Sequence, residues 1–286
     1  MREQGITLKE LCQSIQLPEN ISEKVLEIET TMDKDAIQPY LNLLFTPTTW
    51  MEGVDQLKDF LKEDVDGLIM LTSMLLAALK SYERYQMLGI SDQIYFNTFA
   101  CFTRFVKEHK ESYGTYGFDR GWWTVRQLSL KLFRIDTLEY EMIETDGVKE
   151  LSIHIPSDAV LTTTNCRVSY EVAVNFFAYY YKEFQYQNMS CHSWLLSPVL
   201  KEVLSEDSKI LQFQKSFQIT KEFPEDKDYL EWVYQRSKLP LEELPENTSL
   251  QRNLKEYLLK GNQVGTAYGV LDETPFLEKE ILYGTN

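Results

Sequence analysis

The sequence predicts an α+β protein with a helical N-terminal half and a C-terminal half of mixed strands and helices. Residues 1–135 repeat apolar side chains at helical spacing in one segment after another. After residue 135 the pattern changes to short apolar runs, two of which are joined by Asp146-Gly147, a dipeptide typical of tight β-hairpins. A chain of 286 residues is long enough for two domains. We therefore expect domains at residues 1–135 and 136–286, with every strand in the second.

The first half is predicted to be a helical bundle. Residues 67–87 are apolar on almost all sides in their first half, which indicates a buried central helix. Residues 94–106 carry a stripe of aromatic side chains at helical spacing, and such a stripe is typical of a core. Further helices are predicted at residues 8–15, 21–28, 36–45, 50–61 and 123–133.

The second half is predicted to follow the order β-β-α-β-α-β-α-α-β. Residues 138–143 and 148–155 form the hairpin, and residues 165–184 form the helix after it. A helix at residues 195–204 carries Pro198 in its first turn, where the missing N–H has no cost. The remaining strands are predicted at residues 189–193, 210–219 and 263–271, and the remaining helices at residues 227–235 and 249–260.

The charge of the chain disfavours two classes of partner. Its 44 acidic residues exceed its 29 basic ones and give a net charge of −15. Nucleic acids and anionic membrane surfaces bind through clustered Lys and Arg, so neither is an expected partner. An acidic field either attracts amines or only keeps the protein soluble. With no signal peptide, no apolar run of membrane-spanning length and four scattered cysteines, we expect a cytoplasmic protein with reduced thiols.

The catalytic candidates follow two predicted strands, where α/β proteins gather ligand groups. His154 can act as a general base near neutral pH, or it can be hydrogen-bonded within the sheet. Asp158 can orient His154 or merely cap a turn. Cys191 beside His192 suggests a nucleophile, but sequence neighbours on a strand point to opposite faces. A thiol–imidazole pair would therefore need His154, and His192 is an alternative base.

An anion site is predicted where residues Thr162, Thr163, Thr164 and Asn165 lead into a helix. Hydroxyls and unused N–H groups at a helix N-terminus suit a pyrophosphate, although N-capping alone explains the same residues. Ser193 either caps the following helix or lies near a backbone N–H that stabilises an oxyanion. No metal site is expected, because the three histidines and the scattered cysteines match no known zinc spacing.

Five segments carry a family resemblance. They read WWTVRQLS at residues 122–129, LEYE at 138–141, IHIPSDA at 153–159, HSWLLSP at 192–198 and LPENTSLQR at 244–252. In this order they resemble a bacterial two-domain family with a helical N-acyltransferase N-terminal domain and a GNAT-like C-terminal domain. The match covers most of the second half, and in the first half it depends on helical character.

The resemblance implies a helical domain followed by a GNAT-like mixed-sheet α/β domain. It also implies transfer of an acyl group from acetyl-CoA or another acyl-CoA to a small-molecule amine, without a metal. One departure is that GNAT enzymes have a Q/R-x-x-G-x-G/A loop where residues 157–165 of this chain contain no glycine. This departure favours an alternative function, a non-catalytic GNAT-like module that senses a ligand or binds a partner. The polar groups at the strand ends favour the enzyme.

Overall fold

The computed structural model describes residues 5–236 and 238–273, and the chain divides into two compact units, Met1–Ile135 and Asp136–Asn286. Among the described residues the first unit is built mainly of helices. These are α1 Leu8–Ser14, α2 Glu19–Thr31, α3 Lys34–Leu43, α4 Trp50–Leu61, α5 Leu68–Leu88, α6 Asp92–Phe99, α7 Cys101–Tyr113 and α8 Gly121–Leu128, followed by strand β1 Leu132–Ile135.

The second unit alternates strands and helices, as the sequence predicted. Its strands are β2 Leu138–Thr145, β3 Val148–His154, β4 Asn188–Ser193, β5 Phe217–Phe223 and β6 Thr266–Leu271. Its helices are α9 Thr163–Tyr180, α10 Leu200–Val203, α11 Lys209–Gln214, α12 Asp228–Val233 and α13 Ser249–Leu259, with short 3₁₀ turns at Trp194–Leu196 and Leu241–Glu243. The predicted fold class, helices first and then a mixed sheet with helices, is confirmed.

Aromatic side chains form the core of the first unit. Helix α5 runs through it, and Tyr85 on this helix packs edge-on against Tyr95 of α6 with 5.1 Å between the ring centroids. Tyr95 in turn lies 4.6 Å from Phe99, and all three rings are fully buried. Large rings bury much apolar surface, so this cluster is a main source of the unit's stability. The stripe at residues 94–106 is therefore core, as predicted.

One prediction about the first unit is wrong, because strand β1 precedes residue 136. Residues 123–133 were predicted as one helix, yet α8 ends at Leu128. Leu130 adopts a left-handed conformation with φ of 58°, which stops the helix and lets the chain continue as a strand from Leu132. A leucine in this conformation is rare, so the sequence gives no sign of the helix end.

Among the described residues, six strands form a mixed sheet in the order β1-β2-β3-β4-β6-β5. Strands β2 and β3 pair antiparallel, with Glu139 opposite His154. Strand β3 then pairs parallel with β4, and the connection between them runs through α9. Strand β6 pairs antiparallel with β4 and with β5. This arrangement makes β3 and β4 neighbours that run in the same direction in the middle of the sheet.

Two predicted elements of the second unit differ from the structure. The predicted helix at residues 195–204 is broken, because Ser197 before Pro198 is extended (φ −57°, ψ 126°), as residues preceding proline usually are. The predicted strand at residues 210–219 is helix α11 followed by β5. Ser208 caps this helix by accepting a hydrogen bond from the N–H of Ile210.

Two glycines at the ends of α5 provide a stability test. Gly67 and Gly89 have nearly the same left-handed conformation, with φ of 70° and 71°. A Cβ atom on Gly67 would overlap the backbone oxygen of Phe118, whereas a Cβ on Gly89 meets nothing within 4 Å. We expect Gly89→Ala to lower the free energy of unfolding by about 1–2 kcal/mol through backbone strain alone. Gly67→Ala should lose roughly 1–3 kcal/mol more through overlap. Equal losses of unfolding free energy for the two variants, measured by urea denaturation, would contradict the close approach of Gly67 to Phe118.

Candidate functional site

The parallel strands β3 and β4 separate before their C-terminal ends. Their pairing runs from Glu150 and Asn188 to Ser152 and Ser190, while β3 continues to His154 and β4 to Ser193. Over these last residues each strand remains paired on its other edge, β3 with β2 and β4 with β6. Backbone groups that face the opening therefore have no partner strand among the described residues. Such groups can bind the amides of an extended ligand.

The two faces of the sheet differ in character around this opening. On one face α9 covers apolar side chains, and the Tyr140 hydroxyl is hydrogen-bonded to Ser169 of α9 at 2.8 Å. Side chains alternate between the two faces along each strand, and with the strand register this alternation assigns the polar side chains to the other face. These are Glu139, Glu141, Glu150, Ser152, His154, Ser190, His192 and Tyr268. Half of these eight polar side chains are buried, which is unusual for a sheet face rich in glutamate.

His154 ends β3 at one side of the opening. Its Nε2 lies 2.9 Å from Oε2 of Glu141, and the two side chains are 23% and 10% exposed. A carboxylate only accepts, so Nε2 carries a proton that it donates to Glu141. In the neutral ring the basic nitrogen is therefore Nδ1. A histidine oriented by a buried carboxylate has the arrangement of a general base, because the carboxylate stabilises the ring once it gains a proton.

His192 lies on β4 at the other side of the opening and is more exposed, at 44%. Its Nε2 lies 2.8 Å from the Thr266 hydroxyl, which donates its own proton to Asp226 over 2.7 Å. Because that hydroxyl has one proton, it accepts from Nε2–H of His192. Burial and the neighbouring Asp226 raise the pKa of Asp228, and His192 opposes this rise. His192 is thus held by a relay that ends on a carboxylate.

The remaining catalytic candidates are Cys191 on β4 and Asp158 in the loop after β3. Cys191 is fully enclosed, and burial raises the pKa of its thiol well above the ordinary value. It points to the α9 face, as the alternation from His192 requires. Asp158 is exposed in the loop after β3. The structure gives His154 a partner in Glu141, so this thiol is not paired with either histidine in the way a Cys–His nucleophile needs.

The predicted anion site begins α9. The Thr162 hydroxyl is an N-cap that accepts from the N–H of Asn165 at 3.2 Å, and the Asn165 amide donates to the Val160 carbonyl. Thr163 and Thr164 are exposed, and no hydrogen bond found in the described part of the chain uses their N–H groups. Two donors and two hydroxyls are therefore open to an anion at this helix start.

The loop before α9 does not form a tight phosphate cradle. Between residues 155 and 165 no residue has a positive φ, so the left-handed turns of a glycine-rich loop are missing. Ser193, the other predicted ligand residue, caps the 3₁₀ turn after β4 by accepting from the N–H of Leu195 at 3.1 Å. Its hydroxyl is thus engaged in the structure of the chain.

A metal-binding cluster and a membrane-spanning helix are both absent from the described residues. No group of three or more His, Cys, Asp or Glu side chains there is arranged to hold a metal ion. None of the helices described has the length and apolar character needed to cross a membrane.

Two protein families match the chain. The N-acyltransferase N-terminal domain matches residues 6–130, and the GNAT-like C-terminal domain matches residues 94–271. The second match covers more than half of the chain. The chain therefore belongs to the family that combines these two domains. The resemblance found in the sequence is thereby confirmed, although the second match begins at α6, well before residue 136.

Solved structures of similar fold are acyltransferases. One, in complex with decanoyl-CoA and teicoplanin, is 22% identical with a TM-score of 0.78 over 95% of this chain and 89% of that one. Another, a mutant acyltransferase in complex with octanoyl-CoA, is 22% identical with a TM-score of 0.77 over 95% of this chain and 91% of that one. At this identity the likeness establishes the fold. Among curated proteins no sequence matches significantly.

Sequence reasoning missed the partners of both histidines, namely Glu141, Thr266 and Asp226. One signal for Glu141 was present. The two-residue turn at Asp146-Gly147 pairs Thr145 with Val148, and counting back along the hairpin brings Glu139 and Glu141 beside His154. The relay of His192 had no such signal, because β6 is 74 residues further along the chain.

Thiol chemistry tests the position of Cys191. All four cysteines are buried and unpaired by disulfides, and burial raises the pKa of Cys12 and of Cys166 to about 11. Thiolates are the reactive form, so we expect the native protein to give almost no colour with Ellman's reagent at pH 8. Four equivalents should react after unfolding in guanidinium chloride. If one thiol of the native protein reacts rapidly with the reagent and octanoyl-CoA protects it, Cys191 would again be a candidate nucleophile.

Proposed function

We propose that this protein is an acyl-CoA-dependent N-acyltransferase that moves an acyl group from a coenzyme A thioester to an amine of a small molecule. The observation that carries the proposal is the opening between β3 and β4, with His154 and its partner Glu141 at the edge. An opening inside a sheet offers backbone donors and acceptors to an extended ligand. A general base at its edge is suited to an amine that attacks there.

The acyl donor fits this opening as a substrate. The two amides of its pantetheine arm can pair with the free strand edges beyond Ser152 and Ser190. Its phosphates would lie at the start of α9, where the N–H groups and hydroxyls of Thr163 and Thr164 are open. The helix dipole favours an anion at that end. Arg167, one turn along α9, can contribute a positive charge.

The chemistry is a substitution at the thioester carbonyl. The amine nitrogen attacks the carbonyl carbon while His154 accepts a proton from the nitrogen at Nδ1, and Glu141 stabilises the charged ring. Backbone N–H groups near Ser193 stabilise the oxyanion of the tetrahedral intermediate. The carbon–sulfur bond then breaks, the amide forms, and the leaving sulfur takes up a proton. His192 is the alternative base, and its ring is oriented by Thr266.

The nature of the substrates is supported by the solved relatives. These are acyltransferases in complex with CoA, octanoyl-CoA or decanoyl-CoA, and two of the complexes contain teicoplanin or its 10C form. We therefore propose a medium-chain acyl-CoA as donor and a small-molecule amine as acceptor. The net charge of −15 favours a cationic acceptor over an anionic one.

A non-catalytic GNAT-like module is the second candidate function. It is favoured by the loop of residues 155–162, which lacks both glycine and any left-handed residue and so cannot wrap a pyrophosphate closely. The two functions differ in turnover. An enzyme releases free CoA from octanoyl-CoA only when an amine acceptor is present, whereas a sensor binds the thioester and leaves it intact.

A pair of matched variants tests the base. His154→Ala should lower kcat by roughly 10²–10⁴-fold, because it removes the group that accepts the amine proton. His192→Ala, on the neighbouring strand, should change kcat far less. Release of CoA from octanoyl-CoA is measured with a panel of primary amines, together with the pH dependence of kcat/KM. The reverse ranking would assign the base to His192, and full activity in both variants would remove histidine from the mechanism.

A negative charge added at the helix start tests the phosphate site. Thr164→Glu adds a carboxylate in the first turn of α9, where the helix dipole favours it, so the melting temperature should stay the same or rise. The same carboxylate repels a phosphate, so the Kd for CoA measured by calorimetry should rise by about tenfold. Thr164→Val, which removes only the hydroxyl, is the matched control and should weaken binding less. Unchanged CoA binding in Thr164→Glu would place the phosphates elsewhere.

A further inference from the structure

Glu150 joins three strands at the closed end of the opening. It lies on β3, and its two carboxylate oxygens accept hydrogen bonds from different strands. Oε2 accepts from the Ser190 hydroxyl of β4 at 3.0 Å, and Oε1 accepts from the Tyr268 hydroxyl of β6 at 2.6 Å. Side-chain hydrogen bonds thus connect β3, β4 and β6 across the polar face of the sheet.

The position of this bridge coincides with the end of strand pairing. In the parallel register Glu150 is opposite Asn188, and the last pair is Ser152 with Ser190. The carboxylate therefore reaches forward to Ser190, the residue of β4 after which the strands separate. Tyr268 lies opposite His192, which is two residues further along β4 than Ser190.

The two hydrogen bonds accepted by Glu150 are strong ones. A carboxylate accepts charge-assisted hydrogen bonds that are shorter and stronger than those between neutral groups. Ser190 is almost fully buried, and burial together with Glu150 raises the pKa of Tyr268 to about 12. The phenol therefore keeps its proton and remains a donor throughout the pH range in which proteins work. Both oxygens of Glu150 are used, so the bridge is fixed in one geometry.

We propose that Glu150 is a positioning residue that fixes the point at which β3 and β4 separate, and that the acyl donor's affinity depends on it. Only the part of this proposal that concerns the acyl donor's affinity rests on the proposed function. Without the carboxylate, the two strands are joined at this point by a short stretch of backbone pairing. The free edges beyond Ser152 and Ser190 then lose their fixed spacing, and a pantetheine arm can no longer pair with both.

The test compares three variants with the wild-type protein. Glu150→Ala removes the bridge, Glu150→Gln keeps its shape and one acceptor, and Glu144→Ala removes an exposed glutamate of β2 in the same sheet. We expect Glu150→Ala to raise the Kd for octanoyl-CoA about tenfold or more, Glu150→Gln to raise it less, and Glu144→Ala to leave it unchanged. Calorimetry measures the Kd of folded protein, which a purely structural loss of stability would not move.

Hydrogen exchange followed by mass spectrometry provides a second measurement that needs no ligand. In Glu150→Ala, residues 150–154 and 188–193 should exchange faster, while peptides from α9 and from the first unit remain as in the wild type. Tyr268→Phe should show a weaker form of the same change, and in the Glu150→Ala background it should add little, since both act through one bridge. Tyr268→Phe and Ser190→Ala replace Glu150→Ala if that variant does not fold.

The outcomes separate the two proposals. Unchanged exchange at the ends of β3 and β4 would overturn the bridge, and an unchanged Kd with faster exchange would overturn its role in binding. If the wild-type protein binds no octanoyl-CoA, the proposed function fails. The exchange result then decides alone whether Glu150 fixes the strands.

Discussion

The tight turn between β2 and β3 is the constraint on which the polar site depends. Asp146 and Gly147 both have positive φ, 52° and 79°, which matches the two-residue turn that best suits the twist of a hairpin. This turn fixes the register of the two strands. A slip of one residue would move every side chain of β2 to the opposite face, so Glu141 would leave His154 and enter the apolar side under α9. A conformation at a surface turn thus determines the partner of a histidine at the far end of the hairpin.

The connection through α9 adds the second constraint. Parallel strands need a long crossover, and here that crossover is a helix of 18 residues. Strands β3 and β4 are therefore neighbours in the middle of the sheet, each held on its outer side by another strand. Where they separate, backbone groups of two inner strands lose a partner within the sheet. Unpaired backbone groups in such a place are costly, so the opening is a feature that a ligand or water has to satisfy.

The sequence predicted the elements whose signals are local. The hairpin, the helix after it and the buried helix α5 each have a turn dipeptide or a periodic pattern within a few residues. Elements that end on an unusual backbone conformation were missed, as the left-handed Leu130 and the broken helix at Ser197 illustrate. The site divides in the same way. His154 was found as a polar residue at a strand end, whereas its partner Glu141 and the bridge at Glu150 follow from register and strand order, which are tertiary facts.

The acidity of the chain bears on where binding energy for an acyl donor can arise. A net charge of −15 repels the phosphates of coenzyme A at long range, and the start of α9 offers them two N–H groups and two hydroxyls without a glycine cradle. Arg167, in the second turn of α9, lies 4.0 Å from Glu171, and this carboxylate offsets part of its positive charge. Bound at the proposed site, the phosphates would therefore be a weak anchor. In the proposed function, most of the affinity then comes from the pantetheine amides along the strand edges and from the apolar acyl chain. The spacing of β3 and β4 would therefore matter more here than in an enzyme with a tight phosphate loop.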